Sequence, residues 1–181
     1  MKRLKSHIYS VNPLITGSIM GILTIAQIVL IFFYNQPGLQ ALRVVGYVLW
    51  ALSAIFGILP IITFRCKSGV PEGKGYMRTT VLVDSGVYAI VRHPQFLAGM
   101  LLNVACMLIA QHWLIVALGI PAMLLTYLDA FRADECLVEK FGDDYRRYMQ
   151  KVPRMNFLLG LVRLLRRRKS QGRKKGRPSA S

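Results

Sequence analysis

Acid is what this chain has least of. Its 181 residues carry eight Asp and Glu against 24 Lys and Arg, a formal net charge of +16. Six of the eight acids fall in one stretch, as Asp129, Asp134, Glu135, Glu139, Asp143 and Asp144. Cysteine is equally sparse. Cys66, Cys106 and Cys136 are odd in number and far apart. They build neither a disulfide framework nor a C-x-x-C spacing, and no metal site is expected. Cys106 lies in an apolar run and reads as a small packing residue. The last residues, Pro178-Ser179-Ala180-Ser181, offer no prenylation box. No nucleic-acid-reading module accompanies the basic charge, so nucleic acid is not an expected partner.

What the chain has instead is apolar residue, 54% of the total, laid out in long runs with the basic residues between and after them. The first run, from about Pro13 to Tyr34, has no charge and is long enough to cross roughly 30 Å of hydrocarbon. It exceeds a signal-peptide core, and Phe32-Phe33-Tyr34 is no small-residue cleavage site, so it reads as a retained span. Asn35-Gln36-Pro37-Gly38 reads as a turn. The second run, about Val44 to Phe64, is flanked by Arg43 on one side and by Arg65 and Lys67 on the other, with Pro60 near its end. A polar, glycine-rich loop follows from Cys66 to Arg92, in which Thr79–Val83 reads as a short extended piece.

The third run begins at Pro94, a residue suited to the first helical turn, and ends near Ala110. Only Gln111-His112 separate it from the fourth, Trp113 to about Leu128, which forces an antiparallel hairpin. Helical patterning continues past the fourth run to Phe141, with Gly142 as the C-terminal cap. From Trp113 to Phe141 this is about 43 Å, so the charged end projects beyond the hydrocarbon. Pro121 is expected to kink this helix. Asp143–Lys151 reads as a short polar helix that Pro153 stops. Asn156–Leu165 is apolar on most sides yet too short to span, and reads as an interfacial helix.

These elements define an all-α integral membrane protein with about four transmembrane helices and a C-terminal helical hairpin extended into the cytoplasm. Basic residues at the span ends put both termini in the cytoplasm. The Cys66–Arg92 loop and the Arg132–Arg154 segment then share that face. The tail from Arg163 onward reads either as a solvated charge run or as an anchor for anionic lipid headgroups. Residues 1–75 form a two-span region with the start of the loop, residues 76–154 a second two-span region, and residues 155–181 the interfacial helix and basic tail.

The polar residues of the cytoplasmic face each admit a plain role. Arg92 serves as a positive-inside anchor and His93 as a helix cap. Arg132, Glu135 and Glu139 fall at ion-pair spacing on one helix. Tyr145 and Tyr148 suit an interfacial aromatic belt. Asp129 is different: an acid at the end of an apolar run needs a partner or a role. The hairpin also brings the start of the third helix, with Arg92 and His93, beside the charged end of the fourth.

Taken together these residues form strings. Gly86-Val87-Tyr88, Arg92-His93-Pro94 and Phe96 resemble the pattern G-x-Y-x-x-x-R-H-P-x-Y. Asp134-Glu135 and then Phe141-Gly142-Asp143-Asp144-Tyr145-Arg146-Arg147-Tyr148 resemble E-E-x-x-L-x-x-x-F-G-x-x-Y-x-x-Y, and Val152-Pro153-Arg154 resembles a closing V-P-R. In order and spacing, residues 79–154 are similar to the isoprenylcysteine carboxyl methyltransferase and phospholipid methyltransferase group. Phe96 stands where that group usually has Tyr, and Asp134-Glu135 where it has a Glu pair.

The resemblance implies methyl transfer from S-adenosylmethionine to a lipid-linked or lipophilic acceptor, such as a prenylcysteine carboxylate or a phospholipid amine. It makes residues 76–154 the catalytic core. It implies that Tyr88, Arg92, His93, Pro94, Gln95 and Phe96 line the cofactor pocket, that Asp134 or Glu135 contacts the cofactor, and that Arg132 lies toward the acceptor. His93, Arg132 and Glu135 are the catalytic candidates. Two other classes compete. Sterol-reductase-like membrane enzymes carry a similar R-H-P-x-Y stretch and use NADPH, and a non-enzymatic membrane scaffold would need only the basic tail.

Overall fold

In an apolar surrounding the backbone must satisfy its own N–H and C=O groups, and a single continuous segment does so only as a helix. The computed structural model describes residues 13–34, 38–67 and 82–175 and contains five α-helices among them. These are α1 Pro13–Phe33, α2 Gln40–Lys67, α3 Pro94–Ala110, α4 Trp113–Lys151 and α5 Phe157–Lys175, with a 3₁₀ turn at Gly86–Ala89 before α3. No strand occurs among the described residues. Of the extended piece expected at Thr79–Val83, Thr79, Thr80 and Val81 lie outside the described residues, as do both termini.

Among the described residues three helices are long and apolar enough to cross a membrane, over Leu14–Phe33, Gln40–Thr63 and Trp113–Lys151. The expected fourth span, α3, has 17 residues and so a length of about 26 Å, slightly less than the hydrocarbon thickness. The described residues are thus helical and suited to a membrane, with three helices of spanning length and one shorter apolar helix.

One further boundary, the end of α5, differs from expectation. Helix α4 runs through Pro121 without a break, and its one non-helical residue is Gly142, at φ 57 and ψ −129. Glycine adopts that left-handed backbone without the steric cost of a Cβ, which is why the helix turns there. Helix α5 continues to Lys175, ten residues past Leu165. Between Phe157 and Lys175 there is no proline, and Arg, Lys and Leu are good helix formers.

The chain gathers into two compact units that interleave along the sequence. One takes residues up to Ile58 with Gln95–Leu137; the other takes Leu59–Pro94 with the residues from Val138 onward. In the first unit α1 and α4 run antiparallel. Thr16 pairs with Asp129, Met20 with Thr126, and Gln27 with Ile115. Helices α2 and α3 are also antiparallel, with Arg43 Nε donating to the Ile109 carbonyl and Ser53 Oγ to the Ala98 carbonyl at 2.8 Å.

Their approach is close. A Cβ at Gly46 would lie 2.8 Å from Ile109 Cγ1 and 3.2 Å from the Ala105 carbonyl oxygen. Small residues bring membrane helices together in this way, because lipid supplies no hydrophobic drive between them. Cys106, Ala110 and Ile115 form a buried cluster with Leu30, Ile31 and Leu102 against it. The α3–α4 turn is tied to the start of α2. Gln111 Oε1 accepts from the Leu39 N–H at 2.9 Å, and Gln111 Nε2 donates to the Leu39 carbonyl at 2.9 Å. His112 stacks on Tyr34 with ring centroids 4.7 Å apart, and Trp113 is exposed. Ile, Leu, Val and Phe side chains stand exposed along α1 and α2, as lipid-facing surface requires.

Candidate functional site

The second unit is organised around the segment that leads into α3. Residues 82–84 are irregular, the 3₁₀ turn Gly86–Ala89 follows, and α3 starts at Pro94. Gly86 has φ 64, and a Cβ there would also lie 2.8 Å from Thr63 Cγ2, so glycine answers both a backbone and a packing demand. The N–H groups of Ile90 and Val91 both donate to the Val87 carbonyl, at 3.0 and 3.1 Å. Val87 and Val91 are buried beneath them.

This segment is then fastened to the end of the V-P-R string. The Arg92 N–H donates to the Pro153 carbonyl at 3.0 Å, and the His93 N–H to the Arg154 carbonyl at 3.1 Å. The Tyr148 hydroxyl donates to the Tyr88 carbonyl at 2.6 Å. Tyr145 and Tyr148 are buried, with ring centroids 5.6 Å apart. They are therefore core residues of this unit, and the expectation of an interfacial aromatic belt does not hold for them. Helix α5 is capped by Asn156, whose Oδ1 accepts from the Leu159 N–H at 3.0 Å. Gly160 of α5 meets the Ile90 carbonyl so closely that a Cβ would collide with it.

Four of the strings seen in the sequence are thus brought together: G-x-Y, R-H-P, Y-x-x-Y and V-P-R. Among the cofactor candidates here, His93 and Pro94 are buried, while Tyr88 and Arg92 are half-buried. Each end of the segment is held by backbone hydrogen bonds.

The remaining candidates belong to the first unit. On α3, Gln95 is exposed and Phe96 half-buried. On α4, Asp134 is only 2% exposed, whereas its neighbour Glu135 is exposed. Arg132 is paired with Asp129, at i−3 on the same helix. Arg132 Nη1 and Asp129 Oδ1 are 2.8 Å apart, and Thr16 Oγ1 donates to Asp129 Oδ2 at 2.8 Å. The acid that the sequence marked as needing a partner has two.

Sequence reasoning passed over other buried polar groups of this unit. Gln27 Nε2 donates to the Ile115 carbonyl at 2.7 Å, and Asn103 Nδ2 to the Gly99 carbonyl at 2.7 Å. The signal was an amide side chain in each of two runs otherwise free of charge, since such groups are costly in lipid unless paired. The Tyr148–Tyr88 bond and the Gly160–Ile90 contact had no signal beyond residue type.

The sequence profile of a protein family described as "Protein of unknown function (DUF1295)" matches residues 14–152. That covers most of the chain, from α1 to the end of α4, and the chain belongs to this family. No curated protein and no solved structure matches it.

Proposed function

We propose that this member of the DUF1295 family is a membrane-embedded methyltransferase that uses S-adenosylmethionine and modifies a lipid-linked or lipophilic acceptor. The observation that carries the reading is the fastening of Arg92-His93 to Pro153-Arg154 by two backbone hydrogen bonds, at the start of an apolar helix. Two strings of the resembled family pattern, sixty residues apart in the chain, become one local structure.

The donor set fits the cofactor's polar parts. With Pro94 as the first residue of α3, the following backbone N–H groups have no intrahelical acceptor and suit a carboxylate. Arg92 adds a cation beside them, and the His93 imidazole both donates and accepts. Tyr88 contributes a phenol from the preceding turn. The resemblance assigns an ammonium or ribose contact to Asp134 or Glu135, and of these two Asp134 is the buried one. Arg132, held by Asp129, is the group the resemblance assigns to the acceptor. Phe96 withholds the hydroxyl that a Tyr would bring.

When bound, S-adenosylmethionine supplies a methyl group already activated by its sulfonium. The protein's part is then placement, and a rigid segment with its backbone tied at both ends favours it. A carboxylate acceptor requires no base. An amine acceptor must lose a proton, which the His93 imidazole can take.

The test is calorimetric titration of the detergent-purified protein with S-adenosylmethionine and NADPH, side by side. The expected result is binding of the first, abolished by His93→Ala in a protein that stays folded, because the mutation spares the His93 backbone bond. Binding of NADPH alone would move the protein to the sterol-reductase-like enzymes. Binding of neither would leave the scaffold reading.

A further inference from the structure

Helix α5 presents two faces. Towards its own unit it sets Gly160 under the Ile90 carbonyl and the Arg167 guanidinium on the Lys151 carbonyl. Phe157 and Leu164 are half-buried on the same side. Away from it stand Leu158, Leu161, Val162 and Leu165, at i, i+3, i+4 and i+7. These four are 63%, 43%, 46% and 57% exposed. An apolar stripe at this spacing is a buried face in any stable helix, and nothing within the described residues covers it.

The charge of the helix says what does. Phe157–Lys175 contains eight basic residues and no acid. Arg163 and Arg166 are exposed beside the stripe, and the residues after Leu165 are mostly Arg and Lys. A second copy of α5 would set like charges against each other. An anionic phospholipid surface instead accepts the leucines below its headgroups and the arginines on its phosphates.

We infer that α5 lies in the plane of an anionic membrane surface, and that this docking holds the Ile90–His93 backbone in place through Gly160. Ile90 is two residues before Arg92, whose N–H bonds Pro153. Seating the outer face of α5 in lipid keeps its inner face under the Ile90 carbonyl, and so keeps Arg92 and His93 registered on Pro153 and Arg154. The docking stands by itself; its bearing on catalysis rests on the function proposed above.

The experiment uses the full chain in phosphatidylcholine nanodiscs with and without phosphatidylglycerol. Leu161→Trp reports insertion through quenching by bromine-labelled acyl chains, read against the wild-type emission of Trp50 and Trp113. Leu158→Trp, on the same stripe, replaces it if the first variant does not fold. Hydrogen exchange at the Arg92 and His93 amides reports the loop.

The added tryptophan should be quenched, and more so with phosphatidylglycerol. The two amides should exchange more slowly in the anionic lipid, by about fivefold or more, the factor that one basic residue near such a surface supplies. Arg163→Gln combined with Arg166→Gln should shrink that lipid dependence while leaving exchange in phosphatidylcholine unchanged. A tryptophan no more quenchable than the wild-type background would overturn the docking. Exchange rates equal in the two lipids would overturn its link to the loop. Neither readout involves a cofactor, so a failure here is distinct from a failure of the methyltransferase reading.

Discussion

The Tyr148 hydroxyl reaches across sixty residues of sequence to donate a 2.6 Å hydrogen bond to the backbone carbonyl of Tyr88. It fixes the turn before the R-H-P segment from the far end of α4. Tyr148→Phe keeps the ring and its packing on Tyr145 and removes only the donor. The expected loss is about 1 kcal/mol of stability, seen as a lower thermal midpoint in detergent. The same variant should bind S-adenosylmethionine more weakly, because the Tyr88 turn loses a tether. An unchanged midpoint and unchanged affinity would show that the bond does not position the segment.

Buried Thr16 and Asp129, with half-buried Arg132, join α1 to α4 and should respond unequally to truncation. Asp129→Ala removes the carboxylate that accepts from both Arg132 and Thr16, and should cost about 1.5–3 kcal/mol. Thr16→Val removes one interhelical hydrogen bond within the membrane region, worth about 0.6 kcal/mol. Thermal or denaturant unfolding of the two single variants checks the order. In a double-mutant cycle, Asp129→Ala and Arg132→Ala together should cost less than the sum of the two.

Asp134 and Glu135 are neighbours on α4 with opposite environments, 2% exposed against openly exposed. Asp134→Ala should lower the midpoint clearly. Glu135→Ala should change stability by no more than about 0.5 kcal/mol, as surface substitutions generally do. Parallel melting curves decide it, and equal losses would contradict the burial difference.

Gly46 lies where α2 and α3 come closest. Gly46→Leu must push Ile109 and the Ala105 backbone away, and overpacking of this kind costs about 1–3 kcal/mol. Cleavage by a protease in the region of the Gln111 turn should accelerate in that variant, since the Gln111–Leu39 bridge depends on α2 and α3 staying in register. A cleavage rate matching wild type would show that the helices can part there without loosening the turn.

The sequence by itself determined the helices. Apolar runs at Pro13–Tyr34, Val44–Phe64, Pro94–Ala110 and from Trp113 onward could satisfy their backbones in lipid only as helices, and α1 to α4 follow them within a few residues. It also marked Gly142 as the end of a helical stretch and Asp129 as an acid in need of a partner, because both demands are local: one of backbone geometry, one of charge in an apolar run. The strings G-x-Y, R-H-P and V-P-R were legible as residues, with their spacing.

Tertiary structure decided which groups those residues meet. Nothing in the order of residues pairs Arg92 with Pro153 or Tyr148 with Tyr88, because such contacts depend on how distant segments fold back on one another. The same holds for Arg132. Helical spacing set Arg132 with Glu135 and Glu139 and left Asp129 in need of a partner; the folded chain pairs Arg132 with Asp129 and brings Thr16 of α1 to the other oxygen of that carboxylate. Spacing lists the candidates along one helix; packing alone chooses among them, since a buried charge is stable only where every neighbouring element supplies its share of hydrogen bonds.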